Sequence, residues 1–170
     1  MLIGFKSRFI EMFGTMINPK YGIIKVGDLV TKDIAKVSKV YSSDDVIQYI
    51  DISSIDKNSK TISSTVNYVV KEAPSRAQQC VVKGDILFSN VRPNLKTMAV
   101  VDSEADNLVC SSCFTVLRCL EPFPEFLITA IADDYFTNTI VKKETGSNYP
   151  AVTSKEVLNA TIPGAPKEAQ

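Results

Sequence analysis

The residues best suited to chemistry lie between two short apolar runs. Asp85 to Phe88 and Thr97 to Val101 are brief, rich in branched or aromatic side chains and bounded by turn signals, a pattern that predicts the two strands of a hairpin. The connection between them carries Ser89, Asn90, Arg92, Asn94 and Lys96. Arg and Asn have the paired polar groups that match guanine and adenine edges, so this loop is a candidate nucleic-acid contact. Arg92 is the expected base-reading fork and Lys96 the expected phosphate contact, with Arg76 and Asn90 as second-line candidates. Pro93 fixes its own φ and should bias Arg92 toward an extended backbone. The competing reading is an ordinary solvated hairpin, because surface loops are generally polar.

Other chemistries lack their parts. The chain has no histidine, so hydrolase triads of the usual form have no base. It has no Gly-rich phosphate loop, and Asp44-Asp45 and Asp133-Asp134 read as a turn and a helix flank. Cys110-Ser-Ser-Cys113 has the spacing of a redox pair or half a zinc site. Leu108 to Leu120 reads as one long strand, however, where residues three apart point to opposite faces and do not converge on one ion. The four cysteines are therefore expected to be reduced and structural, and no catalytic residue, metal or cofactor is assigned. A thiol enzyme built on Cys110 and Cys113 would need a low thiol pKa.

A chain of 170 residues with 45% apolar and 22% charged residues is long enough for one domain with a real core. No apolar run is long enough to span a membrane, and Lys6, Arg8 and Glu11 interrupt the N-terminal run, so neither a membrane span nor a signal peptide fits and a cytoplasmic location is expected. Nineteen basic and nineteen acidic residues cancel, which is not the footprint of an autonomous DNA binder. Residues 71–101 nevertheless carry a net charge of +3 and residues 102–134 one of −6. One face is locally basic if the fold separates the two segments.

The elements that must position the loop follow from periodicity. Phe5, Phe9 and Phe13 form a stripe on a helix from Leu2 to Phe13 that stops at Gly14. No N-cap residue precedes it, so it reads as the last turns of a longer helix. Its stripe is expected to need a surface, and a second copy of the chain is favoured over the chain's own domain. Ile23 to Val26, Leu29 to Val40, Val46 to Ile52, Thr61 to Val70 and Cys80 to Val82 read as strands. From Pro124 the period changes to that of two short helices, the second expected to end at Gly146. Ser147 to Pro150 reads as a turn, Thr153-Ser154-Lys155-Glu156 as a capping box, and Leu158 to Ile162 as a last strand.

Three stretches together resemble the target recognition domain of the specificity subunit of type I restriction-modification systems. Lys6-Ser7-Arg8-Phe9-Ile10-Glu11-Met12-Phe13-Gly14 is similar to the end of that family's spacer helix. Gly84-Asp85-Ile86-Leu87-Phe88-Ser89 followed by Arg92-Pro93 is similar to its central strand and loop, and Gly146-Ser147 with Pro150, Pro163 and Pro166 to Gln170 to its exit segment. The resemblance covers nearly the whole chain. It implies an α/β fold of the α+β kind: a twisted, mostly β recognition domain over 15–163, a stub of spacer helix over 1–14, short helices near the C-terminus and a truncated spacer segment over 164–170. It implies a non-enzymatic module that reads one half of a bipartite double-stranded DNA target for partner methyltransferase and restriction subunits, which help to clamp the phosphates. The rival expectation is a half-subunit or gene fragment that acts only as an assembly piece, associating through Phe5, Phe9 and Phe13.

Overall fold

A strand whose successive side chains are all apolar must be covered on both faces, since neighbours along a strand point to opposite sides. Ile86-Leu87-Phe88 is such a strand, and the molecule is layered around it. The computed structural model describes residues 2–120, 124–146 and 150–164, and of residues 2–5 the backbone alone. In chain order the elements are α1 (Leu2–Phe13), β1 (Ile23–Lys25), α2 (Val37–Val40), β2 (Val46–Ile50), β3 (Ile55–Asp56), β4 (Thr61–Ile62), β5 (Val66–Val69), β6 (Ala77–Cys80), β7 (Ile86–Ser89), β8 (Met98–Val100), β9 (Leu108–Ser111), β10 (Phe114–Leu117), α3 (Pro124–Ile131), α4 (Asp134–Val141), α5 (Ser154–Asn159) and β11 (Thr161–Pro163).

Two sheets stack. One has the order β10-β7-β8 and is antiparallel throughout. The other has the order β5-β2-β9-β6, with β2 and β9 parallel and the outer pairs antiparallel. Ile86, Phe88, Met98 and Leu117 face a core shared with Leu127, Ile131, Phe136, Ile140 and Val157 of the three later helices. Leu87, Ala99, Phe114 and Val116 face the other way and meet Ile50, Leu108 and Cys110 of the second sheet. The far side of that second sheet presents Ile47, Tyr49 and Val109 to Val37 of α2. Ile86 and Leu87 are fully buried, and each such side chain contributes about 1.5–3 kcal/mol of transfer free energy.

Two further pairings shape the ends of the domain. β1 and β11 are antiparallel, with Ile23 opposite Pro163, so the segments that enter and leave the domain run side by side. β3 and β4 form a small hairpin against β8.

The strands of the central hairpin, the two consecutive short helices and the capping box agree with the sequence reading. Thr153 Oγ1 accepts from the Glu156 amide at 3.2 Å, and the Glu156 carboxylate accepts from the Thr153 amide at 2.7 Å. Several long runs break up. Leu29 to Val40 is not a strand: Val30 makes one bridge to Cys119, Asp33 N folds back on Thr31 Oγ1 at 3.2 Å, and Val37–Val40 is a helical turn. Leu108 to Leu120 turns at Ser112-Cys113, where Ser112 N donates to Arg76 O at 2.8 Å, and its halves β9 and β10 join different sheets. Thr61 to Val70 divides into β4 and β5. Leu158 belongs to the helix that Thr153 initiates, so the last strand begins at Thr161. The second short helix ends at Val141 rather than at Gly146.

α1 stops where expected. Gly14 has φ +85°, and a Cβ there would lie 2.5 Å from Asn18 O, so only glycine fits. The aromatic stripe is a correction. Phe9 is only 9% exposed, and Phe9 and Phe13 pack on Phe126 of α3 at centroid distances of 5.3 and 4.8 Å. The domain's own α3 covers the surface expected to await a second copy. The Phe5 side chain, the turn at 147–149 and the exit segment at 165–170 lie outside the described residues.

Candidate nucleic-acid interface

The loop between β7 and β8 is built to hold one shape. After β7, Val91 forms a bridge with Ala151, Arg92 N donates to Pro150 O at 2.8 Å and Val152 N to Asn90 O at 2.9 Å. Pro93–Leu95 is a turn of 3-10 helix, closed by Leu95 N to Arg92 O and Lys96 N to Pro93 O, both 2.9 Å. The residues on either side of it are left-handed: Arg92 has φ 48° and ψ 59°, and Lys96 has φ 49° and ψ 39°. The extended backbone expected of Arg92 is therefore overturned. Two backbone hydrogen bonds anchor Arg92, one from its amide and one to its carbonyl, and they outweigh the steric preference that Pro93 imposes. Non-glycine residues held this way are strained, and such strain persists only where the surroundings over-determine it.

The expected site residues divide into two groups. Ser89, Asn90 and Lys96 are turned inward. Ser89 is 1% exposed and donates its hydroxyl to Val91 O at 2.9 Å. Asn90 is 9% exposed, its Oδ1 accepting from Thr115 Oγ1 at 2.6 Å while Thr115 Oγ1 lies 2.9 Å from Ser154 Oγ. Lys96 Nζ donates to Ala132 O at 2.9 Å and pairs with Asp134, whose carboxyl is held below its usual range by that contact. These three fasten the loop through hydrogen bonds within the protein. Arg92, Asn94 and Leu95 are exposed on the turn itself.

Arg76 joins the same end of the molecule. It is exposed, its guanidinium rests on Cys113 Sγ at 3.7 Å, and Cys113 O accepts from Asn90 N at 2.9 Å. The Ser112-Cys113 turn thus links Arg76 to the loop. Cys110, by contrast, is buried between the sheets, and burial pushes its thiol well above the ordinary value. A buried thiol raised in this way is a poor nucleophile.

The sequence reading passed over the pair that anchors the other end of β7. Asp85 is 1% exposed and accepts from Arg118 Nε and Nη2 in a two-pronged contact, both bonds 2.8 Å, and from Val82 N at 2.9 Å. That contact raises the Arg118 pKa. A signal was present, because Arg118 is the single cation in the acidic segment 102–134 and Asp85 directly precedes an apolar strand. The condition for a locally basic face, separation of the basic and acidic segments, is not met. Lys83 pairs with Glu104, Asp85 with Arg118 and Lys96 with Asp134, so the fold knits the two segments together.

Known proteins with this architecture define its class. No family model matches the chain. It is similar to the specificity subunit of the HindI type I restriction enzyme of Haemophilus influenzae, 31% identical over 108 residues that make up 59% of this chain and 23% of the relative. Its structure is similar to the HsdS subunit from Thermoanaerobacter tengcongensis, with a TM-score of 0.76 and 33% identity over 88% of this chain and 39% of that one. A chain from a type I restriction-modification assembly gives a TM-score of 0.78 and 32% identity, over 89% of this chain and 39% of that one. The mixed, mostly β fold is shared with these solved chains over nearly nine tenths of this chain's length. The chain spans about a quarter of the curated relative and two fifths of the solved ones.

Proposed function

We propose that this chain is a DNA sequence-recognition module of a type I restriction-modification system, reading one half of a bipartite target for partner methyltransferase and restriction subunits and carrying out no chemistry of its own. The observation that carries the reading is the structural agreement with an HsdS subunit and with a chain of a type I restriction-modification assembly over nearly nine tenths of the chain. The rigid turn at Arg92 to Lys96 supports it, because a base-reading side chain needs a backbone that does not yield on contact. The β1–β11 pairing supports it as well, since it sets the entering and leaving segments side by side, as antiparallel spacer helices require. Arg92 is the base-reading candidate, Asn94 and Arg76 flank it, and the partner subunits supply much of the phosphate clamp.

Titration of labelled duplex DNA at two salt concentrations, with and without the methyltransferase subunits of the same system, tests this. The chain alone should bind weakly and with little discrimination, and the mixture should bind its target specifically. Methylation mapping of DNA from cells carrying the system gives the half-site to use. Tight, specific, salt-resistant binding by the chain alone overturns the shared clamp, and absence of duplex binding in both mixtures overturns the recognition role.

A further inference from the structure

Among the described residues, three that are not glycine have a left-handed backbone, and all three are cationic: Lys60 (φ 59°), Arg92 (φ 48°) and Lys96 (φ 49°). They are also neighbours. Lys60, on the β3–β4 hairpin, donates its ammonium to Lys96 O at 2.5 Å, and Val100 N reaches Lys60 O at 3.4 Å. The hairpin is thereby docked onto the loop that presents Arg92, although the two lie more than thirty residues apart in sequence. Its tip is equally fixed. Asp56 accepts from Asn58 N at 2.8 Å and Ser59 N at 3.1 Å, Lys60 N donates to Asp56 O at 2.9 Å, and Ser59 Oγ lies 2.6 Å from Thr61 Oγ1. Asp56 therefore directs its carboxylate into the turn, while Lys57, Asn58 and Ser59 stand exposed on the outside.

The junction gathers cations around the Lys60 ammonium. The Lys60 ammonium is pushed below its ordinary pKa, first by burial and then by Lys96 and Lys57, with Asp56 opposing. Lys96 has Asp134 as a partner, whereas Lys57 makes no ion pair among the described residues. An exposed lysine on a hairpin that is fastened to the Arg92 loop through Lys60 and Lys96 fits a polyanion.

We infer that the β3–β4 hairpin is a second contact with the duplex, in which Lys57 meets a backbone phosphate next to the groove that Arg92 enters, while Lys60 and Lys96 are positioning residues that lock hairpin and loop together. This rests on the DNA-recognition reading above. It gives the two loops different tasks, one reading bases and the other fixing register on the backbone.

The test uses the full chain, with and without its methyltransferase subunits, on labelled duplexes carrying either the mapped half-site or a scrambled one, across a salt series. Lys57→Ala should weaken binding about three- to tenfold on both duplexes alike and make the slope of log K against log salt shallower by about 0.9, the value of one lost phosphate contact. Lys57→Glu should weaken binding further. Lys39→Ala, removing an exposed lysine on α2 across the second sheet, should change neither quantity. Unchanged affinity and slope in both Lys57 variants, alongside lost discrimination in Arg92→Ala, overturns the hairpin contact and leaves the recognition role standing. A Lys57→Ala effect confined to the half-site duplex, with no change in slope, overturns the phosphate assignment. If the unmodified chain binds no duplex in either mixture, the recognition reading itself fails.

Discussion

The two ends of β7 carry similar polar residues to opposite fates. At the N-terminal end Asp85 is sealed from water and satisfied by Arg118 and by the Val82 amide. At the C-terminal end Asn90 is buried against Thr115, and two residues later Arg92 stands exposed on a strained turn. The first end closes the core and the second presents a surface. The difference teaches that a polar residue in a recognition motif announces a constraint, and only its partners reveal whether that constraint is stability or contact.

Arg118→Ala separates the two ends most sharply. It leaves the Asp85 carboxylate buried without its cation, and loss of one member of a buried pair costs about 3–5 kcal/mol. Denaturant unfolding should show a midpoint shift of that size. Replacing Asp85 instead should cost less, because the Arg118 side chain is 29% exposed and can be hydrated. Equal losses for both variants would mean that the closed end is less sealed than its geometry indicates.

Asn90→Ala comes next. It removes a buried hydrogen bond and leaves the Thr115 hydroxyl only Ser154 Oγ as acceptor, and should cost about 0.5–1.5 kcal/mol of folding stability. Its influence on DNA should appear as looser binding to every sequence. Selective loss at one base position would move Asn90 from the scaffold to the contact surface.

Arg92→Ala should reverse that pattern. The side chain is exposed, so unfolding should shift by less than about 1 kcal/mol, while discrimination at one base pair should fall by about 1–3 kcal/mol. A uniform loss across target variants would make Arg92 a phosphate contact.

The smallest effect concerns the segment that braces the loop from behind. Glu156 closes the capping box of α5, and its hydrogen bonds to Thr153 hold its pKa below the ordinary carboxylate value. A depressed folded pKa means that its stabilisation is complete above the unfolded carboxylate pKa and is lost as pH falls through the folded one. Amide exchange at Val157 should therefore quicken as acid removes the cap, and Glu156→Gln should blunt that dependence. Identical acid profiles for both proteins would dismiss the cap as a brace.

What the sequence determined by itself is what neighbouring residues decide among themselves. The hairpin strands, the stop at Gly14, the change of period at Pro124 and the cap at Thr153 all rest on side chains within a turn or two of one another. Resemblance in three short stretches was enough to indicate the class of fold. The tertiary structure alone decided which polar residues face inward. Ser89, Asn90 and Lys96 find their partners at Val91, Thr115, Ala132 and Asp134, and all but the first of these are distant along the chain. It also broke Leu108 to Leu120 between two sheets, turned Phe9 and Phe13 onto Phe126, and forced Arg92 into a left-handed backbone against its proline. Local preferences amount to about 1 kcal/mol per residue, and a buried carboxylate, an unmatched backbone amide or an uncovered aromatic ring costs more than that. Where the two conflict, the distant partner sets the conformation.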